Sequence, residues 1–249
     1  MTEQIQSTGP LTGRLAIVTG ASSGVGRAIA MALAQQGAEI CALGRNSDAL
    51  AQVVARARQF SAATAFSIDL NKEEKFQSLL QYVEEKAGKL DILIHSAGVI
   101  HQDPMERARI EDFDSQYATN VRAPYLLSQR LLPALMKAHG QIVFINSSVG
   151  IAVRRAEVGQ YAATKHALRA IADSLREEVN PKGIRVLTMY LGRTATALQQ
   201  ALFQQERREY LPESLLQPED VASIVLHTLM LPRTAEVTDI SIRPMTKSS

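Results

Sequence analysis

The chain of 249 residues contains no tryptophan, a single cysteine and no hydrophobic run as long as a membrane-spanning helix requires. One cysteine, Cys41, cannot form an internal disulfide, so we expect a reducing, cytoplasmic location. Lysine and arginine (27) nearly balance aspartate and glutamate (25), and there is no long basic tract of the kind that binds nucleic acid. The five histidines lack the spacing of metal ligands. The composition therefore predicts a globular protein without membrane, nucleic-acid or metal partners.

Short apolar runs alternate with longer segments of helical periodicity along the chain. This order is typical of βαβ units, and it predicts an α/β fold with a doubly wound parallel sheet of about seven strands and helices on both faces. The predicted strands are residues 15–19, 39–43, 65–68, 90–94, 141–146, 184–189 and 238–242. The predicted helices are residues 25–36, 47–59, 72–87, 110–136, 161–179 and 218–231.

Two segments depart from this alternation. Residues 1–10 are polar and are predicted to form a flexible tail, so that residues 11–249 make up a single domain. Residues 193–217 form a long segment in which Leu198 and Phe203 stand among many glutamine, glutamate and arginine residues. Long segments of this kind often close over a ligand, so we interpret residues 193–217 as a substrate lid.

A glycine-rich turn follows the first predicted strand and leads directly into a helix. Glycines let the backbone approach a pyrophosphate closely, and the helix N-terminus offers free N–H groups to an anion. The spacing Gly-x-x-x-Gly-x-Gly differs from the Gly-x-Gly-x-x-Gly pattern, so tight packing of strand on helix without a ligand is the alternative. We predict a dinucleotide site with contacts from Gly20, Ser22, Ser23, Gly24, Val25 and Gly26.

The end of the second predicted strand indicates which dinucleotide is bound. An acidic residue at this point hydrogen-bonds the ribose 2′-hydroxyl of NAD, whereas an arginine accommodates the 2′-phosphate of NADP. This chain has Gly44 and Arg45 there, and Asp48 already belongs to the start of the next helix. Arg45 therefore predicts NADP(H), the alternative being an arginine that only faces solvent.

Tyr161 and Lys165 are four residues apart at the start of a predicted helix and therefore share one face of it. A cation beside a phenol stabilises the phenolate and lowers the pKa of the phenol, which suits tyrosine to proton transfer. A solvated helix face carrying both side chains by chance is the alternative. Ser148 closes the strand-like run of residues 141–148 upstream.

In this order the motifs resemble the short-chain dehydrogenase/reductase family over nearly the whole chain. Residues 19–26 resemble the cofactor loop of that family, and Ser148, Tyr161 and Lys165 match its catalytic residues in type, order and spacing. Further matches are Asn120 of the catalytic tetrad, Asp69 and Leu70 near the adenine, Ser96, Ala97 and Gly98 of the Asn-Asn-Ala-Gly motif, and Gly192, Thr194 and Thr196 near the nicotinamide. Two departures are His95-Ser96 in place of Asn-Asn, and Leu191 in place of a proline.

The resemblance implies a Rossmann-fold oxidoreductase that transfers a hydride between NADP(H) and a carbonyl or secondary alcohol. Ser148 would orient the carbonyl oxygen, Tyr161 would act as general acid or base, and Lys165 would lower the tyrosine pKa and hold the nicotinamide ribose. Asn120 would position a water next to the lysine. The family also implies a homodimer or homotetramer.

Three questions stay open at the level of sequence. A 3-oxoacyl-thioester reductase of the same family is one alternative function, and a non-catalytic NADP(H)-binding sensor is another. Arg154 and Arg155 either border the substrate pocket or are simply solvated, the second being the ordinary role of surface arginines.

Overall fold

The computed structural model describes residues 9–246 of the chain. Most of the predicted flexible tail, residues 1–8, lies outside the described residues. No helix among residues 9–246 is both long and apolar enough to cross a membrane.

Within the described part of the chain, seven parallel strands form one sheet, which confirms the predicted fold class. The sheet order is β3-β2-β1-β4-β5-β6-β7, so the chain winds outward in both directions from β1 and β4. The strands are β1 (Leu15–Thr19), β2 (Glu39–Gly44), β3 (Ala63–Ser67), β4 (Ile92–His95), β5 (Gln141–Ser147), β6 (Arg185–Leu191) and β7 (Asp239–Ile242). In such sheets the ligand crevice lies at the carboxyl ends of the strands where the winding reverses, here between β1 and β4.

Residues 9–246 contain eight α-helices, most of which pack on the two faces of the sheet. They are α1 (Gly24–Gln35), α2 (Ser47–Ala57), α3 (Gln77–Glu85), α4 (Ile110–Tyr117), α5 (Ala123–Ala138), α6 (Gly159–Val179), α7 (Ala197–Gln205) and α8 (Pro218–Leu229). Ala16 and Val18 of β1 belong to the apolar layer shared with α1, α2 and α8. Leu15 and Ile17 belong to the opposite layer, shared with α3, α5 and α6. Because both faces of the sheet are buried at its centre, β1, β2 and β4 are almost wholly apolar and do not alternate with polar residues. The edge strands β3 and β7 are partly exposed, and burial alternates along them.

The helix predicted at residues 110–136 is divided by a π-helical turn at Ala118–Arg122. This turn separates α4 from α5 and contains Asn120, whose buried side chain bonds to neighbouring segments. Such bonds hold an amide in the interior, and π turns occur often at functional sites. The periodicity of apolar residues continues across the turn, so the sequence did not reveal it.

The segment predicted to be a lid, residues 193–217, contains the regular helix α7. Thr196 caps this helix by accepting a hydrogen bond from the Gln199 backbone N–H (3.2 Å), and Leu202 and Phe203 are buried. The segment therefore contributes to the core of the protein. Its role as a lid stays a prediction.

Several large apolar side chains on α4 and α5, among them Ile110, Tyr117 and Tyr125, are exposed. A second copy of the chain could cover them. The homodimer or homotetramer stays a prediction, which sedimentation velocity at micromolar concentration would test.

Two glycines of the turn after β1 are required by their surroundings. Gly20 has a φ of +66°, in the left-handed region that favours glycine. A Cβ on Gly26 would lie 2.4 Å from the carbonyl oxygen of Gly20, so the start of α1 packs directly on the turn. Both residues fix the path of the backbone between β1 and α1.

We expect Gly26→Ala to lower the free energy of unfolding by about 1–3 kcal/mol, the usual cost of forcing an extra carbon into a packed interior. Gly159→Ala is the matched control, because a Cβ there meets nothing within 4 Å and alanine favours a helix over glycine. Urea unfolding of both variants measures the difference. Equal stability of the two would show that the contact at Gly26 relaxes without cost.

Candidate active site

One cleft runs along the carboxyl ends of the strands, as the reversal between β1 and β4 predicts. Every residue that the sequence suggested for cofactor binding lines it, from the loops after β1, β2, β3, β4 and β6 and from α6. Asn71 and Thr119 also line the cleft, and the amide of Asn71 donates to the Thr119 hydroxyl (3.2 Å). The sequence analysis missed this pair, since nothing in its spacing marks it.

The N-terminus of α1 opens onto this cleft. Ser23 stands at the N-cap position with an extended backbone, and its side chain makes no capping hydrogen bond within residues 9–246. The first backbone N–H groups of a helix need an acceptor from elsewhere when no cap supplies one. A phosphate group suits that position because it also meets the positive end of the helix dipole.

Arg45 lies beside the glycine-rich turn. A Cβ on Gly44 would stand 3.3 Å from the Ser22 hydroxyl oxygen, so the end of β2 and the turn are in contact. Arg45 is exposed and forms no ion pair with any residue of the described chain. Asn46 caps α2 by accepting from the Ala49 N–H (3.0 Å), and Asp48 occupies the first turn, as predicted. The guanidinium of Arg45 is thus available to an anion at this end of the cleft.

The loop after β4 is held by the hydroxyl of Thr19. This oxygen accepts hydrogen bonds from the backbone N–H groups of Ser96 (3.0 Å) and Ala97 (3.1 Å). His95, which replaces an asparagine of the family motif, is buried, stacks on Phe144 and shares a hydrogen bond with a serine of α5. Burial lowers the pKa of His95 to about 3, so the ring is neutral and serves packing.

Asn120 does not line the cleft but joins three segments. Its Oδ1 accepts from the Val99 N–H (2.9 Å), and its Nδ2 donates to the Val99 carbonyl (2.8 Å) and to the Thr164 hydroxyl (3.1 Å). A Cβ on Gly98 would lie 3.3 Å from Asn120 Oδ1 and 3.9 Å from Lys165 Nζ. Asn120 therefore positions the loop after β4 against α6, close to the lysine.

Lys165 is buried, and its Nζ donates to the carbonyl of Ile145 in β5 (3.2 Å). Burial lowers the pKa of Lys165 to about 8. The Nζ atom lies 5.7 Å from the centroid of the Tyr161 ring, so the two side chains share a helix face as expected.

Tyr161 differs electrostatically from the sequence-based expectation. Burial raises the pKa of its phenol to about 12, opposed by a hydrogen bond with Ser147 and by the charge of Arg155. Lys165, the cation expected to lower the tyrosine pKa, donates through its ammonium to the Ile145 carbonyl instead. The phenol is therefore protonated near neutral pH in this state.

The structure places Ser147 beside Tyr161, and not Ser148, to which the sequence analysis gave the catalytic role. Ser147 ends β5, lines the cleft and hydrogen-bonds Tyr161. Ser148 begins a short 3-10 turn and faces solvent. Side chains of neighbouring residues in an extended chain point to opposite sides. A shift of one position therefore moves a side chain from the cleft to the solvent. Because β5 is buried on both faces, no alternation in the sequence distinguished the two serines.

A sequence model of the short chain dehydrogenase family matches residues 14–207. The chain belongs to this family. The family resemblance predicted from the motifs is thereby confirmed, and the structure shows the Rossmann-type sheet that it implies.

Relatives support the same assignment. An uncharacterized oxidoreductase of Staphylococcus aureus (strain N315) is 31% identical over 236 residues, covering 94% of this chain and 99% of the relative. A short chain dehydrogenase of Burkholderia cenocepacia J2315, solved in complex with NADP, is 30% identical with a TM-score of 0.81 over 93% of this chain and 97% of the other. An alcohol dehydrogenase of Thermococcus sibiricus, complexed with 5-hydroxy-NADP, is 25% identical with a TM-score of 0.82, covering 95% and 98%.

Ser147→Ala should reduce kcat of the oxidoreductase reaction by about 10²–10³-fold, the loss typical when a hydrogen-bond donor to a developing negative charge is removed. Ser148→Ala is the matched control and should stay within about twofold of the wild type, because surface substitutions rarely matter. Steady-state kinetics with one substrate measures both. A larger loss for Ser148→Ala would restore the sequence-based assignment.

Proposed function

We propose that this protein is an NADP(H)-dependent oxidoreductase that interconverts a carbonyl compound and a secondary alcohol. The observation that carries the proposal is the meeting of Ser147, Tyr161 and Lys165 at one end of the cleft whose other parts are the glycine-rich turn and Arg45. A group that donates a proton thus adjoins a groove shaped for a dinucleotide. The family membership and the NADP complexes of similar structures agree with this assignment.

The cleft residues fit NADP(H) in their chemistry. The uncapped N-terminus of α1 would receive the pyrophosphate, and Arg45 with Ser22 would receive the 2′-phosphate. Gly98 leaves room beside Asn120 and Lys165, where the nicotinamide ribose would be held. When bound, the nicotinamide supplies or accepts the hydride.

The side chains supply orientation and the proton. In reduction, Ser147 donates a hydrogen bond to the carbonyl oxygen and stabilises the negative charge that develops there. Tyr161 donates its phenolic proton to the same oxygen, and Ser147 then stabilises the phenolate, as it does in lowering the tyrosine pKa. Lys165, held by the Ile145 carbonyl, provides positive charge beneath the site. In oxidation the proton passes the other way.

The compartment and the non-catalytic alternative each rest on one observation. A cytoplasmic location is the prediction from the single cysteine, which is buried and free. The non-catalytic sensor differs from the proposed enzyme in one respect that can be measured, namely turnover.

Tyr161→Phe should lower kcat at least about 10²-fold while leaving NADPH binding within about threefold, because only the transferable proton is lost. Turnover on a panel of aldehydes and ketones, together with a fluorescence titration of NADPH, measures both quantities. Wild-type protein that binds NADPH but reduces nothing on the panel would favour the sensor.

The pH dependence of the reduction and oxidation rates gives a second test of Tyr161 as the general acid and base. With the pKa of Tyr161 raised to about 12, the phenol is protonated from pH 6 to 8, so reduction should vary little over that range. Oxidation needs the phenolate, whose fraction increases about tenfold for each pH unit below the pKa. The oxidation rate should therefore rise with pH, and a flat oxidation profile would remove Tyr161 as the base.

Arg45 should make NADPH the preferred cofactor, because a charge-assisted contact to the 2′-phosphate contributes about tenfold to a hundredfold in affinity. Arg45→Ala should lower kcat/KM for NADPH by that factor and leave NADH nearly unchanged. Arg56→Ala, at an exposed arginine near the end of α2, is the matched control. Aspartate at Gly44 would be a poorer test, since its Cβ would crowd Ser22. Equal kcat/KM for both cofactors in the wild type would contradict the assignment.

A further inference from the structure

Three arginines converge on one glutamate, and the residues on either side of Arg193 line the cleft. Glu206 accepts from Arg155 Nη1 (2.7 Å), from Arg193 Nη2 (2.8 and 2.9 Å) and from Arg208 Nη1 (3.2 Å). We refer to these four residues as the arginine cluster.

The residues of the arginine cluster lie in segments adjacent in sequence to residues that line the cleft. Arg155 lies in the connection between Ser147 and Tyr161. Arg193 stands between Gly192 and Thr194, which both line the cleft. Glu206 and Arg208 follow α7, whose first residues line the cleft as well. The charge of Arg155 reaches Tyr161, since it helps to lower the pKa of that phenol.

Arg155 and Arg193 share a single carboxylate. Within residues 9–246, no aspartate or glutamate other than Glu206 pairs with either of them. One carboxylate neutralises one guanidinium, so the pair carries surplus positive charge. Burial and the charges of Arg155 and Arg208 also lower the pKa of Arg193, which shows that like charges are held close together.

One donor of the arginine cluster is left open. The Nη1 atom of Arg193 is buried and has no hydrogen-bond partner among the described residues. The guanidinium is held in place by stacking on Phe203 (4.6 Å) and by its two bonds to Glu206. A buried donor without an acceptor is unfavourable, and a rigid, planar guanidinium matches the two oxygens of a carboxylate.

We propose that Arg155 and Arg193 receive an anionic group of the substrate, which makes the preferred substrates carbonyl compounds that carry a carboxylate. The inference rests on the proposed function and specifies its substrate class. Glu206 keeps the guanidinium groups together and leaves donors for the substrate. The two neighbouring arginines therefore have different roles, because Arg155 belongs to the arginine cluster and Arg154 does not.

Pairs of substrates that differ in charge but hardly in shape test this proposal. Oxo acids of increasing chain length are compared with their methyl esters, with NADPH as cofactor, and the ratio of kcat/KM for acid to ester is measured. A charge-assisted contact predicts that the wild type favours the acid by about tenfold to a hundredfold for at least one chain length. Arg155→Gln and Arg193→Gln should each lower this ratio about tenfold, mainly through KM of the acid.

Arg154→Gln is the control, because Arg154 is exposed and lies outside the arginine cluster; its ratio should equal that of the wild type. Loss of Arg155 also changes the pKa of Tyr161, but this change affects the reduction of acid and ester alike. The ratio of kcat/KM for acid to ester is therefore independent of it. If esters are reduced as well as acids, or if Arg155→Gln slows both equally, the arginine cluster is only structural and the substrate assignment falls while the proposed function stands. If neither acids nor esters are reduced while other aldehydes or ketones are, the substrate assignment falls and the proposed function stands. If no carbonyl compound is reduced, both fall.

Discussion

Parallel pairing of the central strands is the constraint on which the rest of the structure depends. Because all seven strands run in one direction, their carboxyl ends meet at one edge of the sheet. The buried strands contribute almost only apolar side chains, so polar groups collect where the strands end. Thr19, Ser147 and Gly192 come from β1, β5 and β6 or follow them directly, yet they lie at the same edge. The site is thus a consequence of topology, and the loops only vary its chemistry.

The polar side chains at that edge are largely occupied with one another. Thr19 holds the loop after β4, and Asn120 joins the same loop to α6 through Val99 and Thr164. These bonds fix the backbone around Gly98, next to Lys165. Such preorganisation matters for catalysis because groups that already point to the reacting atoms need not reorganise during the reaction. Side chains that do not touch the cleft therefore determine its geometry.

The sequence was sufficient where local rules decide the structure. Glycines at Gly20 and Gly26 are demanded by backbone geometry, and the i, i+4 spacing places Tyr161 and Lys165 together on any helix. The sequence was insufficient where a shift of one residue, or a contact between residues distant in the chain, determines the position of a side chain. Ser147 is the last residue of β5 and Ser148 is the first residue of the turn that follows, and the buried strand before them shows no alternation that would mark where it ends. The π turn at Asn120 and the arginine cluster depend on partners distant in sequence, which no local pattern contains.

Burial shifts the pKa values of Lys165 and Tyr161 in opposite directions, because it disfavours the charged form of each group. The pKa of Lys165 is lowered from 10.5 to about 8, which corresponds to about 3 kcal/mol against the charged form relative to the unfolded chain. A lysine with a lowered pKa destabilises the fold most where it is charged in both states, below pH 8, and this penalty disappears as the pH rises towards 10.5. The Ile145 carbonyl offsets only part of it. Negative charge or a hydrogen-bond acceptor close to a buried ammonium stabilises its charged form, so the cleft next to Lys165 suits a ligand that carries hydroxyl or anionic groups.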